Sequence, residues 1–231
     1  MSNVLILSKT KMQDNRVCVG GVDLTNQCSV RLLDNNGRHE KINQCPYEIL
    51  TVWDIEYVRT NRRPAPHLED INVQSRRKTA FNIEPQELLK LPHYNIKVYN
   101  NTSLLSTFNC KLCSTEKGSL YICEKNGVTN FSTCFWICDK PLYKSKFSTP
   151  EKIKYRYHAD DNKWYNITFV GLDDIPDVII QGSLIRLSLA HWWSPDNTIE
   201  NRCYLQISGI YTIPTNTKQT GTPNAITLCT L

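Results

Sequence analysis

Residues 184–211 contain two runs in which apolar and polar residues alternate, separated by a polar loop that begins at Ser194. Side chains two positions apart lie on the same face of a β-strand, so this alternation is typical of strands that bury one face. The two runs therefore predict an antiparallel hairpin with one apolar and one polar face. The predicted inward residues are Ile185, Leu187, Leu189, Cys203, Leu205 and Ile207.

The polar face of this hairpin carries the residues that we predict to bind a ligand. They are Arg186, Trp192, Arg202, Tyr204 and Gln206. Arginine side chains can pair with phosphates, and aromatic rings can stack on bases at about 1–3 kcal/mol per base. Alternatively, the aromatic residues fill an interface between two halves of the chain, with the arginines packed on them. Trp193 is in phase with Leu187 and Leu189, which predicts that it is buried.

Short β-like runs separated by turn signals make up most of the remaining chain. The predicted strands are residues 4–8, 16–24, 29–33, 49–59, 119–124, 128–138, 154–158 and 164–170. Gly20-Gly21 inside the second run indicates a bulge or a barrel corner, and Asn126-Gly127 predicts a hairpin turn between the runs on either side of it. This pattern predicts an all-β protein with two small barrels in tandem and one short helix that begins at Pro85.

A change in composition suggests where the domains divide. The basic, proline-broken stretch at residues 61–66 follows the first set of strands. We predict a first OB-like barrel at residues 1–67, a basic linker with the short helix at 68–93, a second OB-like barrel at 94–213 and a polar tail at 214–231.

The net charge of +5 is concentrated in two segments. Residues 59–78 contain six cations against two anions, and residues 140–156 contain six cations against one. Because clustered positive charge attracts polyanions, this distribution favours a nucleic-acid partner. The predicted phosphate contacts are Arg62, Arg63, Arg76, Arg77 and Lys78. The alternative interpretation is that both segments are solvated loops and strand edges, where lysine is common.

The ten cysteines are predicted to be reduced thiols in a cytoplasmic protein. The apolar run near the N-terminus is too short for a signal peptide, and no run is long enough to span a membrane. Cys110 and Cys113 have the spacing of half a zinc site, which makes them the candidate metal ligands. A second such pair is absent, so buried thiols without a metal are the favoured interpretation.

The sequence contains no recognisable catalytic arrangement. The five histidines show no pattern that would activate a cysteine, and no P-loop, dinucleotide-binding or zinc-protease motif occurs. We therefore predict a binding protein that needs no cofactor, rather than an enzyme.

Three stretches resemble the bacterial dual OB domain proteins, whose chains contain two OB-like barrels. They are VLILSKTKMQDNRVCVGGVDL at residues 4–24, SLAHWW at 188–193 and RCYLQISG at 202–209. This sequence departs from the family pattern at His191, where an arginine is common, and at Ile210, where a tryptophan is common. The resemblance implies recognition of nucleic acid or nucleotides in bacterial conflict or defence systems, and it supplies no catalytic residues.

The resemblance and the residue patterns together predict a non-catalytic module that binds single-stranded nucleic acid or a nucleotide. OB barrels bind on the outer face of their middle strands, using cations and aromatic platforms. One alternative is a protein–protein adaptor that docks a neighbouring effector protein. Another is a zinc-dependent or cysteine-dependent enzyme.

Overall fold

The computed structural model describes residues 1–60, 64–194 and 200–213 of the chain. The first sheet contains strands β1 (Ser2–Lys11), β2 (Arg16–Asp23), β3 (Cys28–Leu33), β4 (Glu40–Lys41), β5 (Thr51–Arg59) and β6 (Asp70–Asn82). Strand β1 pairs with both β2 and β5, β5 pairs with β6, and β6 pairs with β3, which pairs with β2. Five strands therefore close into a barrel, and β4 adds to the edge of β2.

The interior of the first barrel is filled by alternate residues of these strands. In β5, Trp53 and Ile55 are buried while Glu56 is exposed, and the Trp53 indole Nε1 donates to Thr51 Oγ1 at 2.8 Å. The remaining core residues are mainly valine, leucine and isoleucine, which suit a pleated, buried surface.

A bulge occurs where the glycine pair predicted one, although the extra residue lies on the partner strand. The register of β1 against β2 changes between Ile6 and Ser8, which face Gly21 and Gly20. A Cβ atom on Gly21 would lie 2.6 Å from the Leu5 carbonyl oxygen, so glycine permits this close approach.

The second sheet is built from the rest of the chain. Its strands are β7 (Val98–Tyr99), β8 (Cys113–Ser114), β9 (Leu120–Cys123), β10 (Thr133–Ile137), β11 (Leu142–Lys144), β12 (Lys154–His158), β13 (Trp164–Phe169), β14 (Val178–Ile179), β15 (Leu184–Leu189) and β16 (Arg202–Tyr211). Short helical segments connect or precede strands at Ile42–Gln44, Pro85–Tyr94, Leu104–Ser106, Thr107–Cys110 and Glu124–Asn126.

The second sheet repeats the strand order of the first barrel. Four residues separate β10 from β11, and β10 pairs with β15 while β11 pairs with β12. These two strands therefore occupy the place of β1, and β12, β13, β15 and β16 occupy the places of β2, β3, β5 and β6. In both units the third and fifth strands pair in parallel, β3 with β6 and β13 with β16. The predicted all-β fold with two OB-like barrels is confirmed.

The predicted inward face of the β15–β16 hairpin is also confirmed. Its six apolar residues are buried in the core of the second barrel, together with aromatic residues of β10, β12 and β13. Among these, Trp136 is fully buried, and its indole Nε1 donates to the Thr102 carbonyl oxygen at 2.9 Å.

Two sequence predictions of local structure are wrong. The segment predicted as a linker contains β6, a 13-residue strand whose exposed half carries the basic residues. The runs around Asn126-Gly127 do not form a hairpin, because β9 pairs with β16 and β10 pairs with β15. The predicted short helix is present as a 3-10 helix at Pro85–Tyr94.

An apolar cluster joins the two barrels. Leu88, Leu91 and Tyr94 of the 3-10 helix pack between residues of β1, such as Leu5, and residues of the second barrel, such as Phe135. The backbone continues the contact, since Lys11 N donates to the Val170 carbonyl oxygen at 3.0 Å and Leu172 N to the Lys9 carbonyl oxygen at 3.1 Å. The barrels therefore share a packed core, which holds their facing surfaces in place.

Within the described ranges, none of the helices has the length and apolar character needed to cross a membrane. The predicted polar tail at residues 214–231 lies outside those ranges.

Candidate ligand-binding surfaces

The outer face of β12 and β13 is rich in cations and carries an exposed tryptophan. The two strands alternate, with buried residues such as Tyr155 and Ile167 facing the core. Cross-strand partners on the opposite face are Arg156 with Asn166 and His158 with Trp164. The outward residues are Lys154, Arg156, His158, Trp164, Asn166 and Thr168.

Trp164 is the centre of this face. Its side chain remains 41% exposed, while the Arg156 guanidinium carbon lies 4.3 Å from the ring centroid and the His158 ring lies 4.7 Å away. A cation over an indole ring is attracted to its π-face, so Arg156 helps to fix the orientation of the ring. The sequence analysis did not select Trp164 or His158, although Arg156 ends the second basic segment and both strands were predicted.

A second aromatic cluster lies where β9 meets the start of β16. The Arg202 guanidinium carbon lies 4.4 Å from the Tyr121 ring centroid. Tyr204 is 5.8 Å from Tyr121 and 6.1 Å from Trp193, measured between ring centroids. Trp193 is 53% exposed, so the prediction that it is buried is wrong. The reason is that β15 ends at Leu189, after which the alternation no longer determines the direction of a side chain.

Trp192 was predicted on the outward, ligand-binding face and Trp193 in a buried position, but the structure shows the opposite arrangement. Trp192 packs partly buried against the core of the second barrel, and its indole Nε1 donates to the Ala65 carbonyl oxygen of the first barrel at 2.9 Å. Its predicted role in ligand binding stays a prediction, and its contacts are those of the interface alternative.

A cavity of about 370 Å³ lies between the two barrels. The first barrel contributes side chains from the outer face of β2 and β3 and from the end of β1. The second barrel contributes β10, β15 and β16, and the polar face of the predicted hairpin is therefore covered by the first barrel. The residues around the cavity include Ser8, Thr10, Lys11, Cys18, Gly20, Arg31, Glu69, Ser132, Arg186, Ser188, His191, Gln206 and Ser208.

Arg186 is the most deeply buried cation of this cavity. It is 5% exposed, and burial lowers the pKa of its guanidinium below the ordinary value for arginine. Its Nη1 donates to Ser208 Oγ at 2.9 Å, whereas its Nε has no hydrogen-bond partner in the described part of the chain. A bulge next to Arg186 makes Ser208 the extra residue of β16 and directs its hydroxyl towards the guanidinium.

Gly20 leaves the space that Arg186 occupies. A Cβ atom on Gly20 would lie 2.7 Å from Arg186 Nη2 and 2.8 Å from Ser8 Oγ. The backbone of Gly20 has no left-handed φ, so the close approach of the Arg186 side chain is the reason that a side chain does not fit here.

Two further charged residues of the cavity come from the first barrel. Arg31 Nε donates to the Asp70 carboxylate in a salt bridge, and its Nη2 has no hydrogen-bond partner among the described residues. Glu69 Oε1 accepts from the backbone nitrogen of Ser132 at 2.8 Å and from its hydroxyl at 2.6 Å, which links the barrels. Glu69 Oε2 is buried and likewise lacks a partner within the described chain.

The predicted ligand-binding residues fall into separate places. Arg186 and Gln206 line the cavity, while Arg202 and Tyr204 belong to the aromatic cluster with Tyr121. No sequence signal indicated that Arg31, Glu69 and Ser8 would line the same cavity as Arg186, because these residues are far from it in the chain.

The predicted phosphate contacts are mostly engaged in salt bridges. Arg76 pairs with Glu40, Arg77 with Asp54 at 2.6 Å and Lys78 with Glu48 at 2.7 Å. Arg62 and Arg63 lie outside the described residues. Contact between these cations and phosphates stays a prediction.

The cysteines in the described ranges are free thiols. Cys110 is exposed and its thiol donates to the Ser106 carbonyl oxygen at 3.7 Å, whereas Cys113 accepts a hydrogen bond from Asn126. In those ranges no group of three or more potential ligands is arranged to hold a metal ion. Burial raises the pKa of Cys138 to about 11 and that of Cys203 to about 12, which makes both thiols poor nucleophiles at neutral pH.

Comparison with known proteins adds a family match. The sequence matches the family described as a dual OB-containing domain over residues 2–210. A search among curated proteins found no significant match. Among solved structures, a murine DNA-binding protein bound to double-stranded DNA is similar over 89% of this chain and 91% of that chain, with 11% sequence identity and a TM-score of 0.31. A similarity this loose supports no inference about function.

Proposed function

The chain belongs to the dual OB-containing domain family, and we propose that it binds single-stranded nucleic acid on the outer face of β12 and β13 without catalysing a reaction. This face belongs to the second and third strands of its barrel, which is where OB folds bind oligonucleotides. The observation that carries the proposal is the exposed Trp164 ring, which contacts the Arg156 guanidinium and the His158 ring.

The chemistry of the face fits a single strand. An exposed indole offers a surface on which any base can stack, so binding of this kind is tolerant of sequence. Lys154 and Arg156 lie on the same face, and Lys163 next to Trp164 has a side chain that is 73% exposed. These cations can contact the phosphates of a nucleic-acid strand while one of its bases stacks on Trp164.

Two finer parts of the proposal rest on the resemblance of residues 188–193 and 202–209 to the family. One is that a free nucleotide is also a ligand, and the other is that the protein serves a bacterial defence system. The genes next to its own gene test the second part. If the chain is instead an adaptor, a pull-down recovers one stoichiometric protein partner even after nuclease treatment.

Replacing Trp164 with alanine is expected to weaken binding of a fluorescein-labelled 12-mer of single-stranded DNA or RNA by about 5-fold to 150-fold. The reason is the loss of one stacked base, which is worth about 1–3 kcal/mol. Fluorescence anisotropy at low salt measures the affinity, and thermal unfolding checks that the variant is folded.

The matched control is Phe81→Ala, which removes a similarly exposed aromatic side chain from β6 of the first barrel. This variant should bind as the wild type does. The proposal fails if the intact protein binds neither strand at low salt, or if the Trp164 and Phe81 variants lose the same affinity.

The affinity for the single strand is expected to fall as salt rises, because bound cations release counterions from the phosphates. Each phosphate contact contributes roughly 0.7 to the slope of log affinity against log salt concentration. Arg156→Gln should therefore lower the slope by about that amount in anisotropy titrations at several salt concentrations. An unchanged slope would show that Arg156 does not contact a phosphate. Arg77→Gln tests the predicted phosphate contacts of the first basic segment, residues 59–78, in the same way.

A further inference from the structure

The cavity between the barrels contains a buried positive charge that pairs with no anion among the described residues. Arg186 is 5% exposed and forms no salt bridge with any residue in the described ranges. The Glu69 carboxylate acts on it electrostatically but forms no salt bridge with it among the described residues. Because arginine stays protonated in proteins, its buried charge is costly unless an anion compensates it.

The groups around Arg186 are arranged as a binding site for an anion. Ser208 of the second barrel accepts a hydrogen bond from the guanidinium and orients it. Gly20 of the first barrel has no side chain, which leaves room for the guanidinium. The guanidinium Nε remains available as a donor. Bulges in β1 and β16 lie beside the cavity, and bulges are common next to functional sites, where they redirect side chains.

The position of the cavity also indicates a ligand site. Its wall in the first barrel is the outer face of β2 and β3, which carries Cys18, Gly20 and Arg31. This is the face with which OB barrels bind their ligands, but here the second barrel covers it. A long nucleic-acid strand cannot lie across a face that the second barrel covers. A small molecule can occupy the cavity, whose volume of about 370 Å³ is within the usual range for ligand pockets.

Glu69 and Lys11 narrow the chemical class of the ligand. Glu69 Oε2 is a buried acceptor without a partner in the described chain, so the occupant must also present a hydrogen-bond donor such as a sugar hydroxyl or a base N–H. Lys11 lies exposed at the edge of the cavity, where it interacts electrostatically with Glu151 and adds a second cation.

We propose that the cavity between the two barrels binds a phosphate-bearing small molecule of mononucleotide size, with its phosphate on Arg186 and a hydroxyl or N–H donor on Glu69. A phosphate monoester carries a charge of about −1.5 to −2 at neutral pH, so it interacts with Arg186 and Lys11 more strongly than a single carboxylate does. This site is separate from the Trp164 face, so the cavity and the single-strand proposal can fail independently; the cavity rests on the free-nucleotide part of the proposed function and gives it a location.

Isothermal titration calorimetry of the intact protein tests the cavity. The probes are the four nucleoside 5′-monophosphates, the four 3′-monophosphates, the matching nucleosides and inorganic phosphate. At least one monophosphate is expected to bind, and its nucleoside at least about tenfold more weakly, because the phosphate contact to a buried guanidinium is lost. Arg186→Gln should weaken binding of the same monophosphate by about tenfold or more.

Two further variants make the result specific. Ser188→Leu keeps Arg186 and fills the cavity from β15, so it should also lose the monophosphate. Arg38→Gln removes an exposed arginine of the first barrel that has no predicted role in binding, and it should bind as the wild type does. Trp164→Ala should keep monophosphate binding, which separates the cavity from the single-strand face.

The proposal is overturned if no monophosphate binds more tightly than about 1 mM, a limit near −4 kcal/mol. It is also overturned if nucleosides bind as well as their phosphates, or if both Arg186→Gln and Ser188→Leu bind as the wild type does. Binding of inorganic phosphate with no gain from the nucleoside contradicts the assigned size of the ligand and the role of Glu69.

Discussion

Leu88→Ala is expected to lower the free energy of unfolding by about 2–5 kcal/mol. Leu88 is fully buried in the apolar cluster that joins the barrels, where it packs with residues of β1 and of the second barrel. Truncation of Leu88 leaves a cavity, and the residues around it cannot move in to fill it because they belong to two folded barrels. Urea unfolding followed by circular dichroism measures the loss.

The neighbouring residue provides the control for this experiment. Leu89 is 42% exposed on the same 3-10 helix, and Leu89→Ala should change the free energy of unfolding by no more than about 0.5 kcal/mol. Equal losses in the two variants would show that the cluster does not hold the barrels together. A loss confined to Leu88 would mean that the buried side of the 3-10 helix stabilises the packing of the two barrels.

The predictable part of the fold is the part that local alternation controls. The inward residues of β15 and β16 follow from a period of two, and the structure buries all six of them. The same period could not show what covers the other face, because the first barrel packs there through contacts distant in sequence. It also could not place Trp192 and Trp193, since they follow the end of β15 at Leu189.

Strand β6 shows why a basic segment can be misinterpreted. The proline-broken basic stretch at residues 61–66 suggested a linker that continues through Arg76 and Arg77, but these two residues lie in the exposed half of a strand whose buried end closes the barrel. Its parallel partner is β3, at residues 28–33. A pairing over such a distance leaves no local signal in the sequence.

The candidate sites also contain a part that the sequence could predict and a part that depends on the packing of the two barrels. The sequence pointed to Arg186 as a ligand-binding residue, and the structure adds Gly20, Arg31 and Glu69 from the other barrel, which complete the cavity. The Trp164 face could have been found by applying the alternation test to β12 and β13, because both strands were predicted. The cavity could not, because it exists only where two barrels meet.

Asp70→Ala is expected to lower the free energy of unfolding by about 3–5 kcal/mol, because it leaves the charge of Arg31 buried without its partner. The side chains of Arg31 and Asp70 are only 12% and 4% exposed, and the two residues are register partners where β3 pairs with β6. Burial alone would lower the pKa of Arg31, but the hydrogen bond to Asp70 keeps that pKa above its ordinary value.

An exposed pair on the same barrel is the control for the Asp70 variant. Asp54 pairs with Arg77, whose side chain is 75% exposed, so Asp54→Ala should cost less than about 1 kcal/mol. The double variant Arg31→Met with Asp70→Leu should recover most of the loss, since it removes both buried charges together. If Asp70→Ala costs no more than Asp54→Ala in urea unfolding, the ion pair does not hold β3 against β6. The position of Arg31 in the cavity wall would then depend on packing alone.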